Sequence, residues 1–468
     1  MDSVKQVLSD VSQPVETPQR PSDLVYGIEE RPPFKDALFA ALQHLLAIFV
    51  AIITPPLIIA GALQLDLETT SFLVSMALFV SGISTFIQCR RFGGIGAGLL
   101  CIQGTSFSFI GPIITAGMTG GLPLIFGSCM AAAPIEMIVS RTFKYMRNII
   151  TPLVSGIVVM LIGLSLIKVG IVACGGGYGA MSDGTFGSLK NLSVAGLVLL
   201  SVLLFNRSKN KYLRMSSIVL GLCAGYLLAF LLGMVDMSAA SSGNLSGMHL
   251  PLPFKFGLDF NISSFIAIGL VYMITAIEAT GDVTANSMIS GEPIEGEKYM
   301  KRVSGGILAD GVNSFIAGVF NSFPNSIFAQ NNGIIQLTGV ASRYVGYYIA
   351  GMLVLLGLFP FVGVVFSLMP EPVLGGATLL MFGTVAAAGI RIIASQKIDR
   401  KATLVLAVSF SLGLGVELMP DILKTAPEAI KGIFSSGITT GGLTAIIANM
   451  VIRVKEEEDE REAIEITE

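Results

Sequence analysis

Charged residues are scarce in this sequence. Asp, Glu, Lys and Arg make up 13% of its 468 residues, whereas soluble globular domains contain roughly 25%. Apolar residues make up 53%, and the mean hydropathy is +0.76. This composition excludes an ordinary soluble domain and indicates a protein embedded in a lipid bilayer. The formal net charge of −3 gives no support to a nucleic-acid partner, and none is expected.

Cysteine and histidine are also few, at five and two residues. Cys89, Cys101, Cys129 and Cys223 lie in or beside apolar stretches, and Cys174 lies in a long loop. These spacings match neither a disulfide framework nor a metal site. We therefore expect no metal ion and no other cofactor.

Long apolar stretches fill most of the chain. A helix needs about 20 mostly apolar residues to cross a bilayer, and the sequence predicts fourteen such spans. They are predicted at 37–63, 71–88, 94–114, 122–139, 149–167, 192–205, 215–234, 263–282, 305–320, 327–339, 344–368, 373–389, 402–416 and 432–451. The predicted fold class is an all-α polytopic membrane protein with one membrane domain, residues 37–452.

Two polar tails flank this domain. Residues 1–36 mix acids and bases and contain no apolar segment followed by a small-residue cleavage site, so we interpret them as a solvated tail and not a signal peptide. Residues 453–468 are strongly acidic, which is typical of a solvated end and also compatible with an interaction tail.

The distribution of basic residues predicts the orientation. If the predicted loops alternate between the two sides, one side receives 24 of the 29 Lys and Arg residues, both tails included. Lysine and arginine concentrate in cytoplasmic loops. We therefore expect both termini in the cytoplasm.

Glycine and proline positions indicate an internal repeat. Residues 152, 156 and 163 repeat as Pro, Gly and Gly at 372, 376 and 383, an offset of 220 residues, and a weaker echo pairs Gly at 111 and 117 with Gly at 333 and 339, an offset of 222. Seven spans separate the two copies, so the second copy would cross the membrane in the opposite direction, as in many secondary transporters. The alternative is chance similarity in a chain with 53 glycines.

Four carboxyl groups fall inside or near the ends of predicted spans, namely Glu136, Glu278, Asp282 and Asp310, while no Lys or Arg falls well inside one. A carboxylate at membrane depth is costly and must be hydrogen-bonded, hydrated or protonated. Reversible protonation is what a proton-coupled carrier requires. A helix-end or packing role is the alternative for each acid, and we favour it for Glu136, which lies near the basic loop at Arg141.

Two predicted spans are short and polar. The polar residues Asn321, Ser322 and Asn325 lead into the tenth, which has Gln330, Asn331 and Asn332 near its start, and the third contains Gln103, Ser106, Phe107 and Ser108. Non-helical backbone at membrane depth must be buried or line a cavity. Interrupted helices at matching places in two repeats indicate a binding site. His44 in the first span is a further candidate, either as a ligand or as an interhelical hydrogen-bond partner.

These side chains suggest the kind of cargo. Amide and carboxylate groups that donate and accept hydrogen bonds, placed beside an aromatic ring, suit a flat heterocycle with alternating N–H and C=O edges. They suit a sugar or an amino acid less well.

The sequence resembles the nucleobase-ascorbate transporter family, and within it the bacterial xanthine permeases. The family signature, Gln/Glu/Pro-Asn-x-Gly-x-x-x-x-Thr-Arg/Lys/Gly, is present at residues 330–339 as QNNGIIQLTG. Further matches are QHLL at 43–46, IEATGD at 277–282 and LADG at 308–311, so the resemblance covers nearly the whole membrane region.

The resemblance implies an architecture and a set of roles. It implies fourteen spans in two inverted repeats of seven, a core domain (spans 1–4 and 8–11) that moves against a gate domain (spans 5–7 and 12–14), and a homodimer in the bacterial inner membrane. Glu278 and Gln330 would hydrogen-bond a purine, Asn331 and His44 would support the site, and Phe107 would pack on the ring. Asp310 would carry the coupled proton, with Asp282 assisting.

One position bears on the choice of purine. Xanthine permeases of this group vary at the position of Ser106, where some have Asn, and the smaller Ser would leave room for the additional oxygen of uric acid. We therefore expect proton-coupled uptake of xanthine by alternating access, with xanthine and urate together, or urate alone, as the alternatives.

Two other classes remain for comparison. A membrane-embedded aspartyl protease would need a Tyr-Asp and Gly-x-Gly-Asp pair, but Asp310 follows Ala309 and Gly281 is preceded two residues earlier by Ala279. An anion carrier or channel of the same fold would need a basic group at the centre, which this sequence lacks.

Overall fold

The computed structural model describes residues 24–146, 151–210, 213, 216–235, 250–359, 364, 368–394, 397–427, 430, 434 and 436–452. Residues 1–23 of the N-terminal tail and the whole acidic tail, 453–468, lie outside the described residues. The predictions made for these two segments therefore stay predictions.

The described chain is mostly helical, as predicted. In chain order its elements are α1 (Phe34–Ala62), α2 (Leu67–Arg90), β1 (Gln103–Thr105), a 3₁₀ turn (Phe107–Phe109), α3 (Ile110–Met146), α4 (Pro152–Cys174), α5 (Gly177–Ser182), α6 (Leu189–Asn206), α7 (Ser217–Leu231), α8 (Ile262–Ile289), α9 (Gly296–Val319), β2 (Asn325–Ile327), α10 (Gln330–Thr338), α11 (Arg343–Leu358), α12 (Glu371–Ala394), α13 (Arg400–Leu418), a second 3₁₀ turn (Pro420–Leu423) and α14 (Gly437–Val451).

Among the described residues, eight helical segments are long and apolar enough to cross a membrane. They are α1, α2, the segment Phe107–Thr142, α4, α6, α8, α12 and α13, and the shorter apolar helices are α7, α11 and α14. The prediction of a multi-pass helical membrane protein is confirmed. The fourth predicted span ends too early, because α3 continues to Met146.

Local sequence signals explain where several helices begin. The Asp66 carboxylate accepts a hydrogen bond from the Thr69 N–H at 3.2 Å and caps α2. Hydrogen bonding to Thr69 lowers the pKa of Asp66. Thr151 caps α4 through the Val154 N–H, and Pro152 follows at the first turn, where a missing N–H costs nothing.

Short strands interrupt the helical structure at the third and tenth predicted spans. β1 lies inside the third span, and β2 lies at the start of the tenth and shares only Ile327 with it. β1 and β2 pair antiparallel, with Gln103 opposite Ile327, Gly104 opposite Ser326 and Thr105 opposite Asn325. All six residues are buried. The all-α prediction is therefore incomplete, because it omits these two strands.

Helix packing follows the positions of glycines. α12 packs along α4, and a Cβ placed on Gly163 would collide with the backbone of Ala386. A Cβ on Gly156 would lie 3.1 Å from the Gly389 carbonyl oxygen. Small residues allow such close approach of helices in a bilayer. α2 packs against α11, α3 against α8 and α9, α6 against α7, and α13 against α14.

Candidate functional site

The Asp310 side chain lies at the centre of a buried polar network. It projects from α9 and is fully buried. Its Oδ1 accepts hydrogen bonds from Gln88 Nε2 of α2, at 3.0 Å, and from Gln103 Nε2 of β1. Two amides from different elements thus hold one carboxyl oxygen, which compensates part of the cost of burying this group.

Further amide groups surround this centre. Asn313 Nδ2 donates to Gln103 Oε1 at 3.3 Å, and Asn325 Nδ2 of β2 donates to Ser84 Oγ at 2.9 Å. The Ser314 hydroxyl accepts the Asn325 backbone N–H at 3.1 Å. Both short strands are therefore tied to the helices beside them by buried side-chain hydrogen bonds.

Glu278 occupies a less enclosed position on α8, where it is half-buried. The Ser108 hydroxyl donates to Glu278 Oε2 at 3.3 Å. One residue earlier, the half-buried Phe107 ring contacts Phe382 of α12 edge to face, with a centroid distance of 5.3 Å. A carboxylate, a hydroxyl and an aromatic ring therefore lie close together between α8 and α12.

Gln330 is the first residue of α10 and is half-buried. No direct hydrogen bond joins it to Glu278 among the described residues. Ser106 is buried in the link between β1 and the 3₁₀ turn, and its N–H donates to the Pro324 carbonyl at 2.8 Å. Its Oγ has no hydrogen-bond partner among the described residues.

The asparagines after Gln330 hold α10 in place. Asn331 Nδ2 and Asn286 Nδ2 both donate to the Leu100 carbonyl, at 2.5 and 3.0 Å. Asn286 Nδ2 also donates to Asn332 Oδ1 at 2.9 Å. His44 is fully buried beside Asn331, although neither of its ring nitrogens meets hydrogen-bond geometry with a described residue. These contacts fix the start of α10 against the segment that leads into β1.

Asp282 lies one helical turn beyond Glu278 and is buried. Its backbone carbonyl accepts a hydrogen bond from Asn332 Nδ2 at 3.5 Å. Among the described residues, no Lys or Arg forms an ion pair with Asp282, Glu278 or Asp310.

Two buried polar residues near Asp310 differ from the sequence prediction. Gln88 is not among the predicted site residues, although it stands 222 residues before Asp310, the offset of the weaker glycine echo. For Glu136 the sequence favours a helix-end or packing role, and the helix-end part is wrong: the residue is fully buried within α3, and its Oε1 accepts a hydrogen bond from Thr275 Oγ1 at 3.0 Å. Gly311, next to Asp310, packs against Met137, so the two acids occupy facing parts of α3 and α9.

No group of three or more His, Cys, Asp or Glu side chains that could hold a metal ion occurs in the described part of the chain. The site instead consists of amides, hydroxyls and carboxyl groups, held by two broken segments between helices of bilayer length. This arrangement is that of a membrane transport protein, because it supplies polar ligands at membrane depth.

The chain belongs to the nucleobase:cation symporter-2 permeases, which are also called nucleobase-ascorbate transporters, since a family model described as "Permease family" matches residues 35–422. It is 51% identical over 458 residues to xanthine permease XanP of Escherichia coli K12, covering 96% of this chain and 98% of that protein. It is 49% identical over 440 residues to xanthine permease XanQ of the same strain, covering 92% and 94%. The family resemblance that the motif at residues 330–339 predicts is confirmed.

More distant similarities extend this picture. The uric acid permease PucJ of Bacillus subtilis 168 is 34% identical over 423 residues, covering 90% of this chain and 93% of that protein. The transmembrane domain of the cyanobacterial bicarbonate transporter BicA superposes with a TM-score of 0.52 at 15% identity, covering 91% of this chain and 99% of that domain. The last similarity concerns the fold alone.

Proposed function

We propose that this protein imports a purine base together with protons across the bacterial inner membrane. Xanthine is the first candidate, because the two relatives near 50% identity are named xanthine permeases. Urate is the second, because a relative at 34% identity is named a uric acid permease and Ser106 is small.

The observation that carries this proposal is the cluster of Glu278, Ser108 and Phe107. Ser108 bonds to one carboxylate oxygen of Glu278, and the other remains available to accept an N–H of a heterocycle. The Phe107 ring offers an apolar face beside it. Gln330 would meet the opposite edge of the purine, while Asn331 and His44 hold α10 in position.

Gln103 and Asp310 would contribute to coupling. Gln103 bonds to Asp310 directly, so a change in the protonation of Asp310 changes a hydrogen bond to the strand segment that precedes Ser106 and Phe107. Asp282, one turn from Glu278 on α8, would assist. Protonation would then be linked to the substrate site through β1.

The finer architecture is also proposed. Two inverted repeats of seven spans are supported by residues 222 positions apart: Gln88 bonds to Asp310, and Gly104 pairs with Ser326. A local two-fold axis between two repeats brings equivalent positions of the two copies into contact and makes paired strands antiparallel. The packing of α2 with α11 and of α4 with α12 supports a division into a core and a gate domain. On the family resemblance, we propose that these domains move by alternating access in a homodimer.

Uptake tests the proposal. Labelled xanthine should accumulate in permease-deficient cells that express the protein, and a protonophore should abolish accumulation. Accumulation that is insensitive to the protonophore would remove proton coupling, and no uptake of xanthine or urate would remove the assigned cargo.

Variants test the site. Gln330→Ala and Glu278→Ala should each lose most xanthine binding while still reaching the membrane, because an unmade hydrogen bond to a buried partner costs about 1–3 kcal/mol. Gln336→Ala is a matched control, since this exposed glutamine lies on the same helix as Gln330. Binding by both site variants at the level of Gln336→Ala would contradict the assignment.

A further inference from the structure

A polar cavity that does not include Glu278 lies on the side that the basic residues predict to be cytoplasmic. Its volume is about 470 Å³, and its lining residues are Glu29, Arg90, Arg91, Ala97, Gly98, Arg302 and Arg343. Four arginines and one glutamate therefore line it. The proposed transport cycle assigns no role to this cavity.

Only two of the four arginines have an ion-pair partner among the described residues. Arg343 Nη2 contacts Glu29 Oε2 at 2.8 Å, and Arg302 Nη2 contacts Glu292 Oε2 at 3.1 Å. Glu292 Oε2 also contacts Lys298 Nζ at 2.5 Å, so its negative charge does not fully compensate the positive charge of Arg302. Arg91 is close enough to Arg302 for the two positive charges to interact.

Arg302 gives the second, independent indication of a ligand. The residue is 6% exposed, and its Nη1 is buried without a hydrogen-bond partner among the described residues. A buried, unpaired N–H of a charged group is costly. An anion in the cavity would reduce the repulsion between Arg302 and Arg91 and would offset part of this cost electrostatically.

The backbone holds these arginines in place. After α2 ends, the loop turns back on itself, and the Gly96 N–H donates to the Gly305 carbonyl of α9 at 2.8 Å. Gly96 has a φ of +109°, and a Cβ there would lie 2.6 Å from the Ile87 carbonyl oxygen, so only glycine fits this close approach. The loop thereby fixes Arg91 beside the turn of α9 that carries Arg302.

An adjoining cavity of about 440 Å³ shares Arg90 and is otherwise lined by Arg31, Pro32, Tyr344, Tyr347 and Tyr348. Arginine guanidinium groups bind phosphate through paired, charge-assisted hydrogen bonds. A phosphate ester could place its phosphate among the arginines and its remaining part against the tyrosines.

We propose that the arginine cavity is a binding site for a phosphate group, carried either by a soluble phosphate compound or by an anionic lipid headgroup. It is separate from the purine site. A short chain of hydrogen bonds connects it to the centre of the protein: the N–H of the lining residue Ala97 donates to Gln88 Oε1 at 2.9 Å, and Gln88 Nε2 donates to Asp310.

The test uses the purified full-length chain in a neutral detergent. Inorganic phosphate replaces chloride at constant ionic strength, and the rise in Tm with phosphate concentration gives the affinity. Arg91→Gln should weaken phosphate binding on the order of tenfold, the effect of losing one charge-assisted contact. Lys301→Gln is the matched control, because Lys301 is exposed, pairs with Glu297 and does not line the cavity.

Glu29→Gln separates a ligand site from a purely structural cluster. If the cluster only stabilises the fold, breaking the Glu29 to Arg343 ion pair lowers Tm and leaves the phosphate response unchanged. If the cavity binds phosphate, removal of its one carboxylate strengthens binding. An absent phosphate response in the parent, or equal responses in the parent and Arg91→Gln, would overturn the proposal.

Nanodiscs then distinguish the two sources of phosphate. The titration is repeated in phosphatidylcholine alone and with phosphatidylglycerol added. If the rise in Tm with inorganic phosphate disappears in the nanodiscs that contain phosphatidylglycerol but persists in phosphatidylcholine alone, the lipid headgroup is the ligand. If the rise in Tm is the same in both, the ligand is a soluble phosphate compound.

Discussion

The substitution Asp310→Asn isolates the proposed coupling group. The asparagine carbonyl oxygen can accept the same hydrogen bonds from Gln88 and Gln103 that Asp310 Oδ1 accepts. Its amide nitrogen takes the place of Oδ2, which meets hydrogen-bond geometry with no described residue, although the Ile327 N–H lies near the carboxyl group. The substitution therefore preserves shape and most of the network and removes only the ability to ionise.

The expected energies separate this variant from a disruptive one. Asp310→Ala leaves one N–H of Gln103 and one N–H of Gln88 without an acceptor, at about 1–3 kcal/mol each, or about 2–6 kcal/mol together. Gln88 Nε2 keeps its other hydrogen bond, to the Gly306 carbonyl at 3.2 Å. Asp310→Asn exchanges charge-assisted for neutral hydrogen bonds, and we expect a loss of about 1 kcal/mol. The alanine variant should thus melt well below the parent, and the asparagine variant close to it.

Two measurements on the same purified proteins test the role of Asp310. Xanthine binding should persist in Asp310→Asn, whereas proton-driven accumulation in vesicles should not exceed equilibration. Normal accumulation by the variant would refute the coupling role and leave Glu278 or Asp282 as the coupling group. Loss of binding at near-parent stability would mean that Asp310 supports the substrate site directly.

Two further predictions concern packing and orientation. Gly163→Val should destabilise the protein by about 1–3 kcal/mol, because its side chain would collide with α12 at Ala386. Gly383→Val is the control at the matching repeat position; a Cβ there has no neighbouring atom within 4 Å, so Tm should stay nearly unchanged. Equal effects of the two substitutions on Tm would contradict the proposed contact. A reporter that is active only outside the cytoplasm, fused after Glu468, should stay silent, and activity there would invert the predicted topology.

The sequence was sufficient for features that depend on composition or on a long motif. Apolar stretches of about 20 residues predicted the helices, and the ten-residue motif beginning at Gln330 predicted the family. Both signals come from many residues, so an error at one position changes little. Helix ends depend on few residues, and the early end predicted for the fourth span placed Glu136 at a boundary when it lies inside α3.

The short strands and Gln88 illustrate what could not be predicted. β1 and β2 contain three residues each, too few to show a two-residue alternation. Their pairing depends on a partner more than 200 residues away, which no local pattern encodes. Gln88 carries no charge and ends an apolar span, so nothing in its own sequence surroundings distinguishes it from an ordinary helix-end glutamine. The one sequence signal that marks Gln88 is its spacing of 222 residues from Asp310.

The pairing of β1 with β2 also sets an order of events during synthesis. Thr105 leaves the ribosome 220 residues before its partner Asn325, which is about 10–40 s at roughly 5–20 residues per second. During that interval the backbone N–H and C=O groups of β1 have no strand to pair with, and the bilayer interior offers none. The first half of the chain therefore stays incomplete until the tenth span arrives, and synthesis of the second half is a step in folding the first.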